Sequence, residues 1–300
     1  VTEEILNALS QLRGLQVAGR SSSFSFKGRN EDLRSVGAKL NVATILEGTL
    51  RRSGSRLRIT VQLIDAADGY QLWSERYERV IEDVFAVQDE IAATIAGRMR
   101  LSLAAPSGAA TRAPTRNLEA YELYLKGRAL LYQRGSSIPK GIECFRQAVA
   151  LDAEYAHAWA GLADGFTTMA QGGFAKASDL IPSALEAARR ALQLDPDLAE
   201  AHSALACATL LWERDYDLAG REFRRAMELN PHYVQARAWY GLWYLDWACG
   251  RSGEAHEVLT RLCEVDPLSG YAQTTLAFHL MTSGHFAESV EHARRGVALD

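Results

Sequence analysis

Side chains that could do chemistry are few in this sequence, and the best-spaced group is two histidines and a glutamate. His285, Glu288 and His292 lie at i, i+3 and i+7, a spacing that can place three metal ligands on one face of a helix. The same stretch has the pattern of an amphipathic helix whose polar residues form the solvated face. We therefore predict no metal site at these residues.

Other motifs with catalytic or phosphate-binding precedent are incomplete. His256-Glu257 begins like the zinc-protease motif HExxH, but Thr260 occupies the place of the second histidine. The three serines at 21–23, followed by Lys27, could form a phosphate-binding nest, although a polar turn is the simpler interpretation. The sequence contains no GxGxxG, Walker or GxSxG motif. We predict no catalytic residue, no cofactor and no metal.

Composition and charge restrict the possible partners. The chain has 300 residues, with 33 Lys+Arg and 37 Asp+Glu. Residues 117–300 hold 17 basic and 24 acidic residues, a net charge of −7 (17 − 24), so they offer no basic stripe to nucleic acid or to an anionic membrane. The longest apolar run, residues 239–245, is far shorter than the ~20 residues that span a bilayer. Four cysteines without CxxC spacing argue against a disulfide or zinc framework.

The first hundred residues predict an α+β domain. Residues 57–63 alternate apolar and polar side chains, as a strand with one buried face does. The flanking runs 44–50 and 70–77 are rich in β-branched and aromatic residues, so the three runs predict an antiparallel meander. Residues 15–18 have the pattern of a further strand. Apolar spacing predicts helices over residues 5–12, 31–40 and 85–99.

Beyond a stretch rich in proline and small residues, between 101 and 116, only helical periodicity remains. Four-residue phrases that end in Leu-Asp-Pro or a close variant of it begin at residues 150, 193, 228 and 264, and the start of another at 298, at intervals of 43, 35, 36 and 34 residues. This period, with small residues such as Gly127 and Ala163 where paired helices cross closely, predicts tetratricopeptide repeats. The predicted domains are an αβ module over 1–104, a linker over 105–116 and about five repeats over 117–300, the last one incomplete.

The αβ module carries further ordered motifs, namely TEEI at 2–5, AGRSSSFSFKG at 18–28, LEGTLRR at 46–52, RITVQLID at 58–65, LWSERY at 72–77 and VFAVQDEI at 84–91. Together with the repeats, these motifs resemble the TolB amino-terminal-like (FlgO-like) module that precedes tetratricopeptide repeats in bacterial signalling proteins. The resemblance covers essentially the whole chain. It implies a further strand upstream of Val1 and an upstream effector, such as a class III adenylate or guanylate cyclase, a winged-helix DNA-binding domain of the CadC type or a protein kinase.

In a tetratricopeptide superhelix, places two, five, nine and twelve of each unit face the concave groove. The basic and asparagine pairs by which chaperone-binding members of that family hold a peptide carboxylate are absent from these places. An apolar strip there suits an amphipathic helix or an apolar peptide, unless further repeats or a second copy cover it. The predicted partner-groove residues are Tyr124, Leu210, Leu242, Leu245, Phe278 and Met281.

The sequence thus predicts an α+β module with an antiparallel meander, followed by an all-α tetratricopeptide-repeat superhelix. Its predicted function is that of a non-catalytic protein-interaction and regulatory region. The alternatives are the regulatory half of a class III adenylate or guanylate cyclase, or of a winged-helix transcriptional regulator. We expect a protein or peptide partner, with self-association left open, and neither nucleic-acid binding nor a membrane segment in this region. The expected location is cytoplasmic, or periplasmic if a membrane helix precedes the region in a longer chain.

Overall fold

The computed structural model describes residues 5, 6, 9, 15–29, 31–54, 56–80, 90, 91, 94, 115–173 and 175–299. The chain divides into two compact units. The first comprises Val1–Thr111, Cys263–Thr274 and Arg294–Asp300, and the second comprises Arg112–Leu262 and Thr275–Ala293. Most of the helix predicted at 85–99 and of the linker predicted at 105–116 lies outside the described residues, so the predicted domain bounds stay a prediction.

The predicted meander is confirmed in the first unit. Strands β1 (Thr44–Ser53), β2 (Arg56–Asp65) and β3 (Gln71–Val80) form an antiparallel sheet in the order β1-β2-β3. Helices α1 (Arg20–Phe24) and α2 (Leu33–Leu40) precede it, and the described residues 5, 6 and 9 are also helical. Alternate side chains of β2 are buried, which is the one-sided burial that the alternating sequence predicts.

The core of the first unit lies on one face of this sheet. Ile59 and Tyr77 are directly opposite each other on β2 and β3, and both are buried. The strand predicted at residues 15–18 is wrong, because this segment pairs with no strand of the sheet. Its alternating residues Leu15 and Val17 pack instead against the core, which satisfies the same apolar pattern without a ladder. The buried members of this core are Ile5, Leu9, Ile59, Val61, Leu63, Trp73, Tyr77 and Ile91.

Five helical hairpins follow within the described residues, which confirms the predicted repeats. They are α3 (Leu118–Tyr132) with α4 (Ile138–Leu151), α5 (Ala156–Gln171) with α6 (Ala177–Leu194), α7 (Ala199–Trp212) with α8 (Tyr216–Leu229), α9 (Val234–Trp239) with α10 (Ser252–Val265), and α11 (Gly270–Thr282) with α12 (Phe286–Leu299).

Small residues let these helices pack closely, as the repeat pattern predicts. A Cβ atom on Gly127 of α3 would lie 2.7 Å from Phe145 Cε1, and one on Gly161 of α5 would lie 2.6 Å from the same atom. Because Phe145 of α4 is completely buried, it has no free space to move into. Glycine at these two positions therefore sets the spacing of α4 from both neighbouring helices.

Two repeats depart from the common length, and both departures extend a helix. The additional residues of the second repeat give α5 and α6 lengths of 16 and 18 residues, against 14 in each of α7 and α8. In the fourth repeat, α9 continues as a π-helix over Tyr240–Ala248, in which the rings of Tyr240 and Tyr244 stack at 5.4 Å and 17°. The i→i+5 turns of a π-helix absorb additional residues in a helical segment, which fits the 36-residue interval of this repeat.

Candidate functional site

The six predicted groove residues divide into a buried and an exposed group. The four in the first four repeats are buried, with exposed fractions of 3% for Tyr124, 7% for Leu210, 7% for Leu242 and 1% for Leu245. The two on α11 are exposed, at 42% for Phe278 and 44% for Met281. Only the second pair can touch a partner without a rearrangement of the repeats, and the role of all six as partner contacts stays a prediction.

A buried charged network occupies groove positions of the first and third repeats. Arg128 of α3 donates from Nη2 to the Tyr132 hydroxyl at 2.6 Å and from Nη1 to the Tyr124 hydroxyl at 3.2 Å. The same guanidinium lies 3.7 Å from the Glu200 carboxylate of α7. The two charged side chains are 6% and 10% exposed, so the pair is shielded from solvent. This burial makes the network a structural element of the groove wall.

Asp164 of α5 extends the same network into the second and fourth repeats. Its carboxylate accepts from the Thr168 hydroxyl at 3.2 Å and from the Tyr233 hydroxyl at 3.5 Å. Burial raises the pKa of Asp164, and the positive charges of Arg134 and Arg128 oppose that effect. Burial also raises the pKa of Tyr233 well above its usual value, with the Asp164 charge adding to the shift. The Tyr233 hydroxyl therefore keeps its proton at neutral pH.

Arg134 is a member of this network that the sequence did not predict. It lies in the turn after α3, with a φ of 59°, and its guanidinium donates to the Gln235 amide oxygen of the fourth repeat. No repeat position predicts this contact, since turn residues vary between repeats. The available signal was the opposite charge at groove positions of neighbouring repeats, with Arg128 basic and Asp164 and Glu200 acidic.

An exposed cluster of large apolar side chains lies at the other end of the repeat series. We call Trp247, Phe278 and Met281 the aromatic patch; they are exposed by 45%, 42% and 44%. The Trp247 ring lies 5.4 Å from that of Phe278, and the half-buried Trp243 ring packs edge-on against Trp247 at 4.6 Å and 69°. Trp243 and Trp247 both belong to the π-helix, so its wide turns position the Trp247 indole of the patch and the Trp243 ring that packs against it.

A buried contact between a histidine and an aspartate supports the patch from within. His279 Nδ1 of α11 lies 2.9 Å from Asp246 Oδ2 of the π-helix, and their side chains are 2% and 9% exposed. The His279 ring also lies 5.7 Å from that of His256 on α10. Because Asp246 and His279 directly adjoin Trp247 and Phe278 in sequence, this pair fixes the two aromatic side chains relative to each other.

The described residues contain no cluster of three His, Cys, Asp or Glu side chains suited to a metal ion. Of the three residues considered for metal binding, His285 and Glu288 are exposed and His292 is half-buried. Within the described part of the chain, no helix combines the length and apolar character that crossing a membrane requires. Binding through an exposed apolar surface is the chemistry that the arrangement supports.

The helical hairpins define a tetratricopeptide-repeat region, preceded by a small α+β module. No protein-family model matches the chain. A curated protein of Rhizobium meliloti (strain 1021), "Putative adenylate cyclase 3", is 43% identical over 136 residues. The match covers 44% of this chain and 23% of that protein, so the chain corresponds to less than a quarter of its relative's length.

Solved structures of repeat proteins are also similar to the chain. TTC0263, a thermophilic TPR protein in Thermus thermophilus, is 16% identical, with a TM-score of 0.48 over 60% of this chain and 91% of that chain. YrrB, a TPR protein with an unusual peptide-binding site, is 19% identical, with a TM-score of 0.35 over 64% of this chain and 94% of that chain.

Proposed function

We propose that this chain is a non-catalytic protein-interaction and regulatory region of a bacterial signalling protein, and that it binds a partner peptide or helix on the aromatic patch. The proposal rests on a difference in side-chain exposure between the two ends of the groove. Groove positions in the first four repeats are closed by buried side chains, whereas Phe278 and Met281 in the fifth are exposed beside Trp247. Partner binding thus concentrates at one end of the repeat series.

The chemistry of the patch favours an amphipathic helix or an apolar peptide as the partner. Two aromatic side chains and a methionine offer apolar area with adaptable shape, which is typical of surfaces that accept the apolar face of a helix. Aromatic residues are enriched among those that dominate binding energy in protein interfaces. The buried Asp246–His279 pair holds the patch in place before binding, which lowers the entropic cost of association.

The parent protein is the second part of the proposal. The motifs of the αβ module resemble the TolB amino-terminal-like module of bacterial signalling proteins, and a putative adenylate cyclase is 43% identical over 136 residues. Both observations favour the regulatory half of a class III nucleotide cyclase as the more specific candidate function. We place the region in the cytoplasm, because its cysteines are unpaired.

Binding at the patch is tested with exposed substitutions. In the variant Phe278→Glu/Met281→Glu, we expect the affinity for amphipathic helical peptides selected on the wild-type chain to fall at least ~30-fold, because two apolar contacts of ~1 kcal/mol or more each are replaced by charges. Phe286→Glu is the matched control, since Phe286 is a 66% exposed aromatic residue of the same repeat. Affinities are measured by fluorescence anisotropy for the wild-type chain, the double variant and the control. If all three bind the peptides equally well, the aromatic patch is not the binding surface.

The cyclase candidate has a separate test. Cyclic-nucleotide production by the full-length parent, with ATP and with GTP, is measured in the presence and absence of the selected peptide. We expect the rate to change with peptide for the wild-type protein and to stay constant for Phe278→Glu/Met281→Glu. A parent that forms no cyclic nucleotide from either substrate would exclude the cyclase and leave the interaction surface unaffected.

A further inference from the structure

The turns that follow the second helix of the first three repeats share one hydrogen bond. In the first three repeats, a side-chain oxygen accepts from the backbone N–H two residues later. The distances are 3.0 Å from Glu154 to Asp152, 3.1 Å from Asp197 to Asp195 and 3.1 Å from His232 to Asn230. Each of these turns is therefore closed by its own residues.

The turn after the fourth repeat is closed by a different segment of the chain. Asp266 occupies the equivalent position, but its Oδ1 accepts from the backbone N–H of Ser22 at 2.8 Å. The backbone N–H of Leu268, two residues after Asp266, donates instead to Ser22 Oγ at 2.8 Å. In the other turns the side-chain acceptor and the N–H donor bond to each other. Here each of them bonds to Ser22 instead, the acceptor to its backbone N–H and the donor to its hydroxyl oxygen. All these residues belong to the first compact unit.

Gly19 completes the contact between the two segments. Its backbone N–H donates to the Val265 carbonyl at 2.7 Å. A Cβ atom at position 19 would lie 2.3 Å from Asp266 Cγ, closer than any real contact of that kind. The turn therefore selects for glycine at this position and for a small hydroxyl residue three places later.

The contact is buried and leaves one polar atom without a hydrogen bond among the described residues. Ser22 and Asp266 are both fully buried, and Asp266 Oδ2 has no hydrogen-bond partner among the described residues. Burial raises the pKa of Asp266, and the hydrogen bonds from the serines at 22 and 21 oppose that effect. An unsatisfied oxygen on a buried carboxylate weakens the contact between the two segments. Separating the segments therefore requires less free energy than it would if both carboxylate oxygens were hydrogen-bonded.

We infer that the Val265–Leu268 turn is a recognition site for a Gly-x-x-Ser segment, and that the chain's own Gly19–Ser22 segment occupies it as a releasable latch. The inference is independent of the partner proposed for the aromatic patch, since it uses different residues. Three backbone or hydroxyl hydrogen bonds provide the affinity, and the absence of space for a Cβ atom at position 19 provides the specificity.

Hydrogen exchange of the full chain tests the latch. In Asp266→Ala, the Ser22 amide loses its acceptor, so we expect exchange of peptides covering residues 17–28 to accelerate by at least ~10-fold, as for one lost buried hydrogen bond. Asp195→Ala is the matched control, because Asp195 holds the same repeat position and closes only its own turn. Equal exchange of residues 17–28 in Asp266→Ala and the wild-type chain would overturn the latch.

Recognition itself is tested with the segment as a separate peptide. In Gly19→Ala, the additional Cβ atom should expel the segment and leave the turn vacant. A fluorescent peptide of residues 17–27 should then bind Gly19→Ala, and should fail to bind Gly19→Ala/Asp266→Ala. Failure to bind Gly19→Ala, once its residues 17–28 exchange rapidly, would overturn the turn as a recognition site. Binding by the Asp266→Ala double variant would overturn it equally.

Discussion

Replacing Arg128 by methionine should destabilise the repeats strongly, because it leaves a buried carboxylate without its cation. Arg128 is 5% exposed and contacts Tyr124, Tyr132 and Glu200. Removing one partner of a buried ion pair typically costs about 3 to 5 kcal/mol. The additional change Glu200→Gln removes the stranded charge, so we expect the double variant to recover about 1 to 3 kcal/mol of the loss.

An exposed ion pair of the same repeats provides the control for Arg128→Met. Arg225 lies 2.6 Å from Asp197, with side chains 45% and 68% exposed, and pairs of this type contribute about 0 to 1 kcal/mol. The free energy of unfolding is measured by urea titration, monitored by circular dichroism and tryptophan fluorescence. If Arg128→Met costs no more than Arg225→Met, or if Glu200→Gln in the Arg128→Met background recovers nothing, then the buried network does not stabilise the groove wall.

Two further substitutions test packing and pH dependence. Gly161→Ala should lower the free energy of unfolding by about 1 to 3 kcal/mol, because its Cβ would lie 2.6 Å from the buried Phe145 ring. Gly253→Ala is the control: Gly253 has open space around it, so this change should raise the free energy of unfolding by up to ~1 kcal/mol. Equal effects of the two substitutions in urea titrations would contradict this packing. Burial lowers the pKa of His202, but hydrogen bonds to Glu222 and to a backbone carbonyl outweigh it, so the pKa is raised overall. The stability from this pair is therefore full below the ordinary histidine pKa of about 6.5 and is lost as the pH rises through the folded-state pKa. Glu222→Gln should reduce the difference between the free energies of unfolding measured by urea titration at about pH 5 and pH 8. If the difference is unchanged, the pH dependence of stability comes from groups other than this pair.

The elements that sequence predicts well are those specified by local patterns. Alternating side chains in residues 57–63 locate a strand with one buried face, and the recurring Leu-Asp-Pro phrases locate the ends of the repeat helices. The same local logic fails at residues 15–18. An alternating apolar segment can bury one side against a core without joining a sheet, and Leu15 and Val17 do so.

The contacts that sequence does not predict join distant parts of the chain. Arg134 meets Gln235, which is 101 positions away, and Ser22 meets Asp266, which is 244 positions away. The first contact depends on how successive hairpins stack, and the second on how α1 packs against the turn after the fourth repeat. No local sequence pattern encodes either arrangement. The candidate site shows the same limit, because the groove positions were predictable from the repeat numbering. Their burial was not, since it depends on neighbouring repeats, and only Phe278 and Met281 are exposed among the six predicted residues.

Site-specific photo-crosslinking tests the central claim most directly. The photoreactive amino acid p-benzoylphenylalanine replaces Phe278 in one chain and Phe286 in another, and each chain is irradiated in a lysate of the cells that produce the protein. Binding at the aromatic patch predicts that position 278 crosslinks to a defined protein through an amphipathic segment, identified by mass spectrometry, and that position 286 does not. If position 286 yields the same product, or if position 278 yields none while full-length partners are captured elsewhere on the chain, then the aromatic patch is not the partner-binding surface.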